Sequence, residues 1–258
     1  MLLQINTSQW FYKVYIACSF LKKIIFTTNK SKRYIYHSLN QVQLMGVGSL
    51  TVVLATSFSL GMIFTFQVAK ELSSLGIQQL VGSVLMITFV RELSPVLTAV
   101  IITGRIGSAF TAEIATMKVT EQIDVLYILN IDPFYYLVKP RIFACMLMLP
   151  ILNILSLATC IASGIVVASI LYEISPSIFL TASCCSSIDL LYSSIKSIVF
   201  GIIIGIISCA WGLTVTGGSK NVGKSTTSSV VTILLVIFIV DFFLSFIMFY
   251  SSNSLLNT

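Results

Sequence analysis

Long uncharged apolar runs, separated by short polar connections, dominate the chain and predict membrane-spanning helices. The runs cover residues 42–69, 72–90, 142–172, 197–219 and 225–240, and the last one continues past Asp241 to residue 250. A helix needs roughly 20 apolar residues to cross a bilayer, and these runs approach or exceed that length. The pattern therefore predicts an all-α integral membrane protein with about five transmembrane helices.

The stretch of residues 76–112 departs from this pattern because it carries Arg91, Glu92 and Arg105 among apolar residues. On a lipid-exposed helix each charge would cost about 2.5–3.5 kcal/mol near the bilayer centre, whereas each Leu or Ile returns only about 0.3–0.6 kcal/mol. Pro95 also removes a helical hydrogen bond in the middle of the stretch. We therefore expect a bent or re-entrant pair of half-helices that is packed against protein and lines a wet cavity.

Residues 113–131 show a different, amphipathic pattern. Apolar side chains recur at spacings of three and four, which predicts one helix that ends at Asp132-Pro133. The charged residues on its other faces are Glu113, Lys118, Glu121 and Asp124. A charged helix between two spans is well placed to dock a soluble partner.

Residues 1–40 precede the first span and carry lysines between short apolar patches. They lack the small-residue cleavage site of a signal peptide and the arginine-rich character of a transit peptide. We expect an amphipathic helix on the membrane surface, followed by one membrane domain over residues 41–258. The aromatic residues expected at the interface are Trp10, Phe11, Tyr12 and Tyr15.

Composition excludes a soluble domain and makes nucleic-acid binding an unnecessary explanation for the basic charge. Hydrophobic residues make up 57% of the chain and charged residues 9%, and the mean hydropathy is +1.00. The formal net charge is +6, but five alternating spans place most basic residues on the side of the N-terminus. The opposite side then keeps only Lys70 and Lys196 as cations. This distribution follows the positive-inside rule and reports orientation.

Two patterns that mimic enzymatic sites fail on their context. Residues 218–225 match the GxxxxGK[ST] phosphate loop, which needs a strand before it and an α/β domain around it. Here apolar spans lie on both sides, so the stretch is interpreted as a glycine turn. The six cysteines have no CxxC spacing and the lone His37 has no ligand partners nearby in sequence, so we predict neither a metal site nor a catalytic centre.

The charged residues of the stretch 76–112 can serve either the structure or a binding site. Arg91 and Glu92 either neutralise one another as an ion pair or border a cavity that receives a polar headgroup. Arg105 is expected to be a structural anchor that bonds carbonyl groups or a carboxylate such as Glu113. Charges in apolar sequence are costly, so a membrane scaffold without transport would not require them.

Asp241, within the final apolar run, is interpreted as a buried structural partner of a residue such as Lys196, with a transport path as the alternative. A secondary transporter needs ionisable residues in several spans. Outside residues 91–113, only Asp241 lies deep in an apolar run. These observations disfavour an ion-coupled transporter and a non-transporting scaffold, which are kept as the alternative functions.

Residues 91–142 closely resemble the signature of the MlaE-type permease family, the membrane subunit of Mce-system ABC lipid transporters. The matching elements, in order, are REL-P, GR-GSA-TAEI, MK-TEQID and DP--YLV-PR. The resemblance extends from about residue 46 to residue 250 and includes residues 195–205, 222–231 and 241–249.

The resemblance implies a homodimeric permease that moves phospholipid between membranes and has no catalytic centre or cofactor of its own. ATP would be hydrolysed by a separate ATPase subunit, and an Mce-domain lipid-binding protein would be a further partner. By the same resemblance Arg91 and Glu92 lie near the lipid cavity, with which we group Arg105. The positions implied to couple to the ATPase are Glu113, Lys118, Glu121 and Asp124.

Residue choice adds a suggestion about origin. The chain has 35 Ile against 13 Ala and 11 Lys against 4 Arg, a bias towards AT-rich codons that is typical of compact organellar genomes and of some bacteria. The resembling family also occurs in plastids. We therefore expect a multi-pass protein of the plastid inner envelope membrane, with a bacterial inner membrane as the alternative.

Overall fold

The computed structural model describes residues 13, 15–17, 19–20, 22, 32–176 and 187–255. These residues contain no strand, and five of their helical stretches are long and apolar enough to cross a membrane. The five stretches are Gln41–Ser74, Gln78–Val119, Phe134–Tyr172, Ile188–Leu213 and Ser219–Met248. The prediction of an all-α membrane protein with about five spans is therefore confirmed.

Eight α-helices make up these spans and their connections. They are α1 (Lys32–Ser74), α2 (Val81–Thr88), α3 (Ser94–Ile102), α4 (Ser108–Val119), α5 (Gln122–Ile128), α6 (Lys139–Tyr172), α7 (Ser187–Leu213) and α8 (Ser219–Leu255). A 3-10 turn at Gln78–Leu80 precedes α2, and π-helical segments occupy Phe89–Leu93, Thr103–Gly107 and Phe134–Val138.

Glycine determines where α1 ends. Gly76 has a φ of +75°, a left-handed conformation that glycine adopts without steric cost. The Ile77 N–H donates to the Leu72 carbonyl at 3.0 Å, the six-to-one bond typical of a glycine-terminated helix. The chain can therefore leave α1 and enter the second span within a few residues.

The second span differs from the expected pair of half-helices. Helical structure continues from Gln78 to Val119, and π-helical turns at Phe89–Leu93 and Thr103–Gly107 take the place of a break. Pro95 is the second residue of α3, directly after the first π-helical turn. A π-helical turn replaces the regular bonds between residues four apart, so a proline is accommodated there without ending the helix.

The single helix predicted over residues 113–131 is wrong. Helix α4 ends at Val119, Glu121 adopts a left-handed φ of 60°, and α5 begins at Gln122. Asn130, with a φ of 55°, follows the end of α5. The apolar spacing continues across the turn because Ile123, which is 2% exposed, returns to the core one residue after α5 begins.

The helices divide between two compact units, each assembled from three stretches of chain. The first unit comprises Met1–Met45, Ile102–Leu147 and Phe200–Ile237. Within it α6 and α7 approach closely at Gly205, where an added Cβ would lie 2.9 Å from the Ile142 Cα. Small residues allow helix backbones to come this close in lipid, where packing rather than water exclusion drives association.

The described residues of the N-terminal segment are helical and belong to the same first unit. Phe20 is buried and its ring centroid lies 5.2 Å from that of Phe134. The Lys13 ammonium lies 5.7 Å from the ring centroid of Trp211, and burial lowers the pKa of that lysine. Trp10, Phe11 and Tyr12 lie outside the described residues, as does most of the connection between α6 and α7 (177–186).

The second unit comprises Gly46–Ile101, Met148–Val199 and Phe238–Thr258. Its apolar core contains Ala69, Val81, Leu85, Phe89, Val90, Leu157, Cys160, Ala168 and Ile174. Polar side chains also connect its helices: the Ser94 hydroxyl donates to Asn153 Oδ1 at 2.6 Å, and Asn153 Nδ2 donates to Ser193 Oγ at 2.8 Å. These bonds fix α3 and α7 to α6 beside the charged residues described next.

Candidate functional site

A buried lysine is the centre of the charged cluster in the second unit. Lys196 is 2% exposed, and its Nζ donates to the Arg91 carbonyl at 3.0 Å, to Glu92 Oε2 at 3.0 Å and to Ser245 Oγ at 2.7 Å. An ammonium group has three donors, and all three are used. The placement of Lys196 on an aqueous side is therefore wrong, because partners from two other helical segments take the place of water.

Asp241 and Ser245 bring α8 into this cluster. Asp241 Oδ1 lies 3.0 Å from Lys196 Nζ and forms an ion pair with it. Ser245 donates in turn to Glu92 Oε1 at 2.9 Å. The sequence interpretation of Asp241 as a partner of Lys196 agrees with this distance.

Arg91 and Glu92 have separate partners and do not pair with each other. Arg91 Nε donates to Asp189 Oδ1 at 2.9 Å, and Glu92 pairs with Lys196. The side chains of Arg91 and Glu92 nevertheless stay 27% and 38% exposed, whereas those of Asp189 and Lys196 are 9% and 2% exposed. The side chains of Arg91 and Glu92 therefore each pair with a buried residue of opposite charge and remain partly exposed.

The exposed parts of Arg91 and Glu92 border a small cavity of about 20 Å³. This volume holds roughly one water molecule. Its lining residues are Arg91, Glu92, Asp189, Tyr192, Lys196, Ser245 and Met248. Two cations and, counting nearby Asp241, three carboxylates give this cluster a formal net charge of −1. A headgroup could meet the charges only across the mouth of the cavity.

Four of the lining residues were not identified from the sequence: Asp189, Tyr192, Ser245 and Met248. Helical spacing contains a signal for two of them, Asp189 and Ser245. Asp189 and Lys196 are seven residues apart, two turns along one face of α7, and Asp241 and Ser245 are four apart on α8. Tyr192 and Met248 carry no such signal, because apolar and aromatic residues at helical spacing indicate lipid or core contacts equally well.

Arg141 holds Glu113 in the first unit, where the sequence suggested Arg105. Arg141 Nη2 donates to Glu113 Oε2 at 2.8 Å, and its guanidinium lies 5.0 Å from the ring centroid of Phe110. Arg141 is 4% exposed. Arg105 is exposed and makes no ion pair or side-chain hydrogen bond within the described residues, so the expected Arg105–Glu113 bond is wrong.

The connection between α4 and α5 carries a further ion pair. Lys118 Nζ lies 2.9 Å from Asp124 Oδ1 and bridges the turn at Glu121, with side chains 34% and 53% exposed. Exposed pairs of this kind contribute about 0–1 kcal/mol. Of the four residues assigned to ATPase coupling, Glu113, Lys118 and Asp124 therefore have partners in this chain, and their role in coupling stays a prediction.

The glycine turn predicted at the phosphate-loop pattern is wrong for most of residues 218–225, because residues 219–225 form the first two turns of α8 and the turn lies just before them. Gly217 has a φ of +93°, α8 begins at Ser219, and α7 ends at Leu213, so helices lie on both sides of the turn. No group of three or more His, Cys, Asp or Glu side chains that could hold a metal occurs among the described residues.

The Permease MlaE family model matches residues 38–247. The "Probable ABC transporter permease protein ycf63" of Pyropia yezoensis is 48% identical over 255 residues, 98% of this chain and 97% of that protein. The "Probable ABC transporter permease protein slr1045" of Synechocystis is 48% identical over 246 residues, 95% and 94% of the two chains. The Arabidopsis thaliana "Protein TRIGALACTOSYLDIACYLGLYCEROL 1, chloroplastic" is 44% identical over 225 residues, 86% and 64% of the two chains. With a family match over most of its length and relatives this similar, the chain belongs to the MlaE permease family.

Proposed function

We propose that this chain is the permease subunit of an ABC transporter that moves phospholipid between membranes, driven by ATP hydrolysis on a separate subunit. The partial exposure of Arg91 and Glu92 within a membrane span is the main observation in favour. A guanidinium attracts a phosphate and a carboxylate attracts an ammonium group. Ionisable residues within a membrane span are costly unless they meet a polar ligand or each other.

The relatives support the same proposal through their names. Two are named as probable ABC transporter permeases, and the Arabidopsis protein is named for a galactolipid and as chloroplastic. We propose the plastid inner envelope membrane as the location, with a bacterial inner membrane as the alternative. A second copy of the chain and an Mce-domain lipid-binding protein complete the proposed complex.

In this mechanism the chain binds and releases lipid and performs no chemistry, so it needs no cofactor. The ATPase docks on the connection from α4 to α5, where the assigned residues are Glu113, Lys118, Glu121 and Asp124. Its motion on ATP hydrolysis changes the charged cluster around Lys196. The headgroup binds across the mouth of the cavity beside Arg91 and Glu92, while the acyl chains stay outside it.

Lipid transfer by the reconstituted complex tests this proposal. Glu92→Gln removes the exposed charge, and we expect ATP-dependent transfer of a fluorescent phospholipid to fall about tenfold, equivalent to about 1.4 kcal/mol. Glu71→Gln is the matched control, because Glu71 is exposed at the end of α1 in the same unit. Equal transfer by both variants, with intact ATPase binding, would show that Glu92 does not meet lipid.

An ion-coupled secondary transporter remains the second candidate, and the charged cluster gives it a specific argument. Ionisable residues from the second, fourth and fifth spans come together here with a formal net charge of −1. Transfer measured with a proton gradient and no ATP separates the two functions. Transport that follows the gradient and ignores ATP would favour this candidate.

A further inference from the structure

Two partly exposed charges of opposite sign border the same cavity in the second unit. Arg91 and Glu92 are neighbours in the chain and both line the cavity of about 20 Å³. Their side chains are 27% and 38% exposed. Because the cavity is too small for a lipid headgroup, a headgroup meets only the exposed parts of these two side chains. The charge balance behind each of them therefore bears on which headgroups the site accepts.

The positive charge of Arg91 is balanced by one carboxylate. Arg91 Nε donates to Asp189 Oδ1 at 2.9 Å, and the Asp189 side chain is 9% exposed. A guanidinium has five N–H donors in a planar fork, so it can bond a carboxylate and a phosphate at the same time. Arg91 can therefore contact a phosphate, but the pair that it forms with Asp189 has no net charge.

The negative charge of Glu92 belongs to a group in which carboxylates are in excess. Lys196 Nζ lies 3.0 Å from Glu92 Oε2 and 3.0 Å from Asp241 Oδ1, so one ammonium group serves two carboxylates. The side chains of Lys196 and Asp241 are 2% and 16% exposed, whereas that of Glu92 is 38% exposed. The excess negative charge is therefore most accessible at Glu92, at the mouth of the cavity.

We propose that this site selects phospholipids with a zwitterionic headgroup, with the ammonium group at Glu92 and the phosphate at Arg91. This inference rests on the proposed function and adds the headgroup chemistry of the substrate to it. An ammonium group supplies the positive charge that the two carboxylates lack, through a charge-assisted contact. A headgroup with a phosphate and no ammonium group brings a second negative charge to Glu92, and like charges brought together oppose binding.

The basic residues of the chain act in the opposite direction, but at the membrane surface. The formal net charge of the chain is +6, and surface lysines and arginines attract anionic lipids. Salt screens exposed charges and screens partly buried charges much less. A preference for zwitterionic lipid that arises at Glu92 should therefore persist at high ionic strength, where the surface attraction is weak.

Lipid transfer by the reconstituted complex, measured with three headgroups, tests the inference. Donor vesicles of one bulk composition carry a trace of fluorescent phosphatidylcholine, phosphatidylethanolamine or phosphatidylglycerol with the same acyl chains. We expect ATP-dependent transfer of the first two to exceed that of phosphatidylglycerol by at least about tenfold in low and in high salt. Comparison of the first two separates a quaternary from a primary ammonium group.

Asp241→Asn separates the excess charge from the side chains that line the cavity. Asp241 is not a lining residue, and its substitution leaves Lys196 paired one to one with Glu92. The preference for zwitterionic lipid should then fall below about threefold, because no excess negative charge remains. Glu71→Gln, an exposed position at the end of α1 in the same unit, is the matched control and should keep the full preference.

A second variant covers the case in which Asp241→Asn does not fold. Glu92→Gln leaves Lys196 paired with Asp241 alone, so it also removes the excess charge and should lower the preference. The ratio of transfer rates is the measured quantity in both variants, since it does not depend on the amount of active complex.

The outcomes separate the inference from the function on which it rests. Equal transfer of the three lipids, or a preference for phosphatidylglycerol in high salt, would show that the site does not select zwitterionic headgroups. Full preference in a folded Asp241→Asn variant would show that the excess charge is not its cause. Each of these results overturns the inference and leaves phospholipid transport in place. If the unaltered complex transfers none of the three lipids with ATP, the proposed function itself is wrong.

Discussion

At the scale of single residues, Lys196 is a charge that only its partners make tolerable. Moving an ammonium out of water costs several kcal/mol even after relaxation, and the attraction of a partner offsets that cost only when the remaining donors are also bonded. Lys196 satisfies this condition with three hydrogen bonds and the nearby Asp241 carboxylate. Its position could not be predicted from the apolar pattern, which treats any lysine as the edge of a span.

Removing this charge should therefore destabilise the protein strongly. Lys196→Met leaves Glu92 and Asp241 without a compensating cation, and we expect a loss of about 3–5 kcal/mol in unfolding free energy. Lys70→Met is the matched control, because Lys70 is exposed on α1, and it should change stability by less than about 0.5 kcal/mol. Thermal unfolding in detergent measures both.

A triple variant that also lacks the two carboxylates tests whether the lost stability comes from unbalanced charge. Adding Glu92→Gln and Asp241→Asn to Lys196→Met removes the uncompensated carboxylates, so most of the lost stability should return. If the triple variant is as unstable as Lys196→Met, the lysine stabilises the unit through packing of its alkyl chain rather than through charge.

At the scale of helices, hydrophobic periodicity predicted the five spans well, and it failed where the backbone changes conformation without changing the apolar spacing. The turn at Glu121 divides α4 from α5, yet Ile123 still falls at a helical spacing from Val119. The π-helical turns likewise keep every residue helical, although they contain Arg91, Glu92 and Arg105. Propensity gives no signal for either feature, because tertiary packing decides both.

The close approach of α6 and α7 gives a prediction at this scale. An added Cβ at Gly205 would lie 2.9 Å from the Ile142 Cα, so Gly205→Ala must displace backbone and should cost about 1–3 kcal/mol. At Gly223, exposed within α8, an added Cβ meets nothing within 4 Å. There alanine should stabilise the helix by about 0.5–1 kcal/mol.

Denaturation of the two glycine variants in the same detergent shows whether helix packing or helix propensity determines the stability change at each position. Opposite shifts of the unfolding midpoint, downward for Gly205→Ala and upward for Gly223→Ala, are the expected result. A neutral Gly205→Ala variant would mean that α6 and α7 separate easily in the first unit, contrary to the contact at Ile142.

At the scale of the whole molecule, the burial of Lys196 strengthens the charge asymmetry that the sequence showed. With that lysine inside a span, Lys70 is the cation left for the side opposite the N-terminus in the sequence topology. On the side of the N-terminus in that topology, Lys118 lies at the end of the second span, Lys139 near the start of the third and Lys220 at the start of the fifth. An excess of lysine and arginine sets orientation towards the cytosolic side, and this could be predicted from sequence because it needs only the order of spans and charges.

Labelling from one side of sealed membranes tests that orientation. In a variant with the native cysteines replaced by alanine, Leu129→Cys and Ser219→Cys should react with an impermeant maleimide only from the side of the N-terminus in the sequence topology. Leu75→Cys, in the connection between the first and second spans, should react only from the other side, because five spans alternate across the bilayer. All three side chains belong to exposed residues, so a failure to label reports membrane sidedness and not burial. Labelling of positions 75 and 129 from the same side would mean that the second span, the single crossing between them, does not cross the membrane, and would contradict the five-span topology.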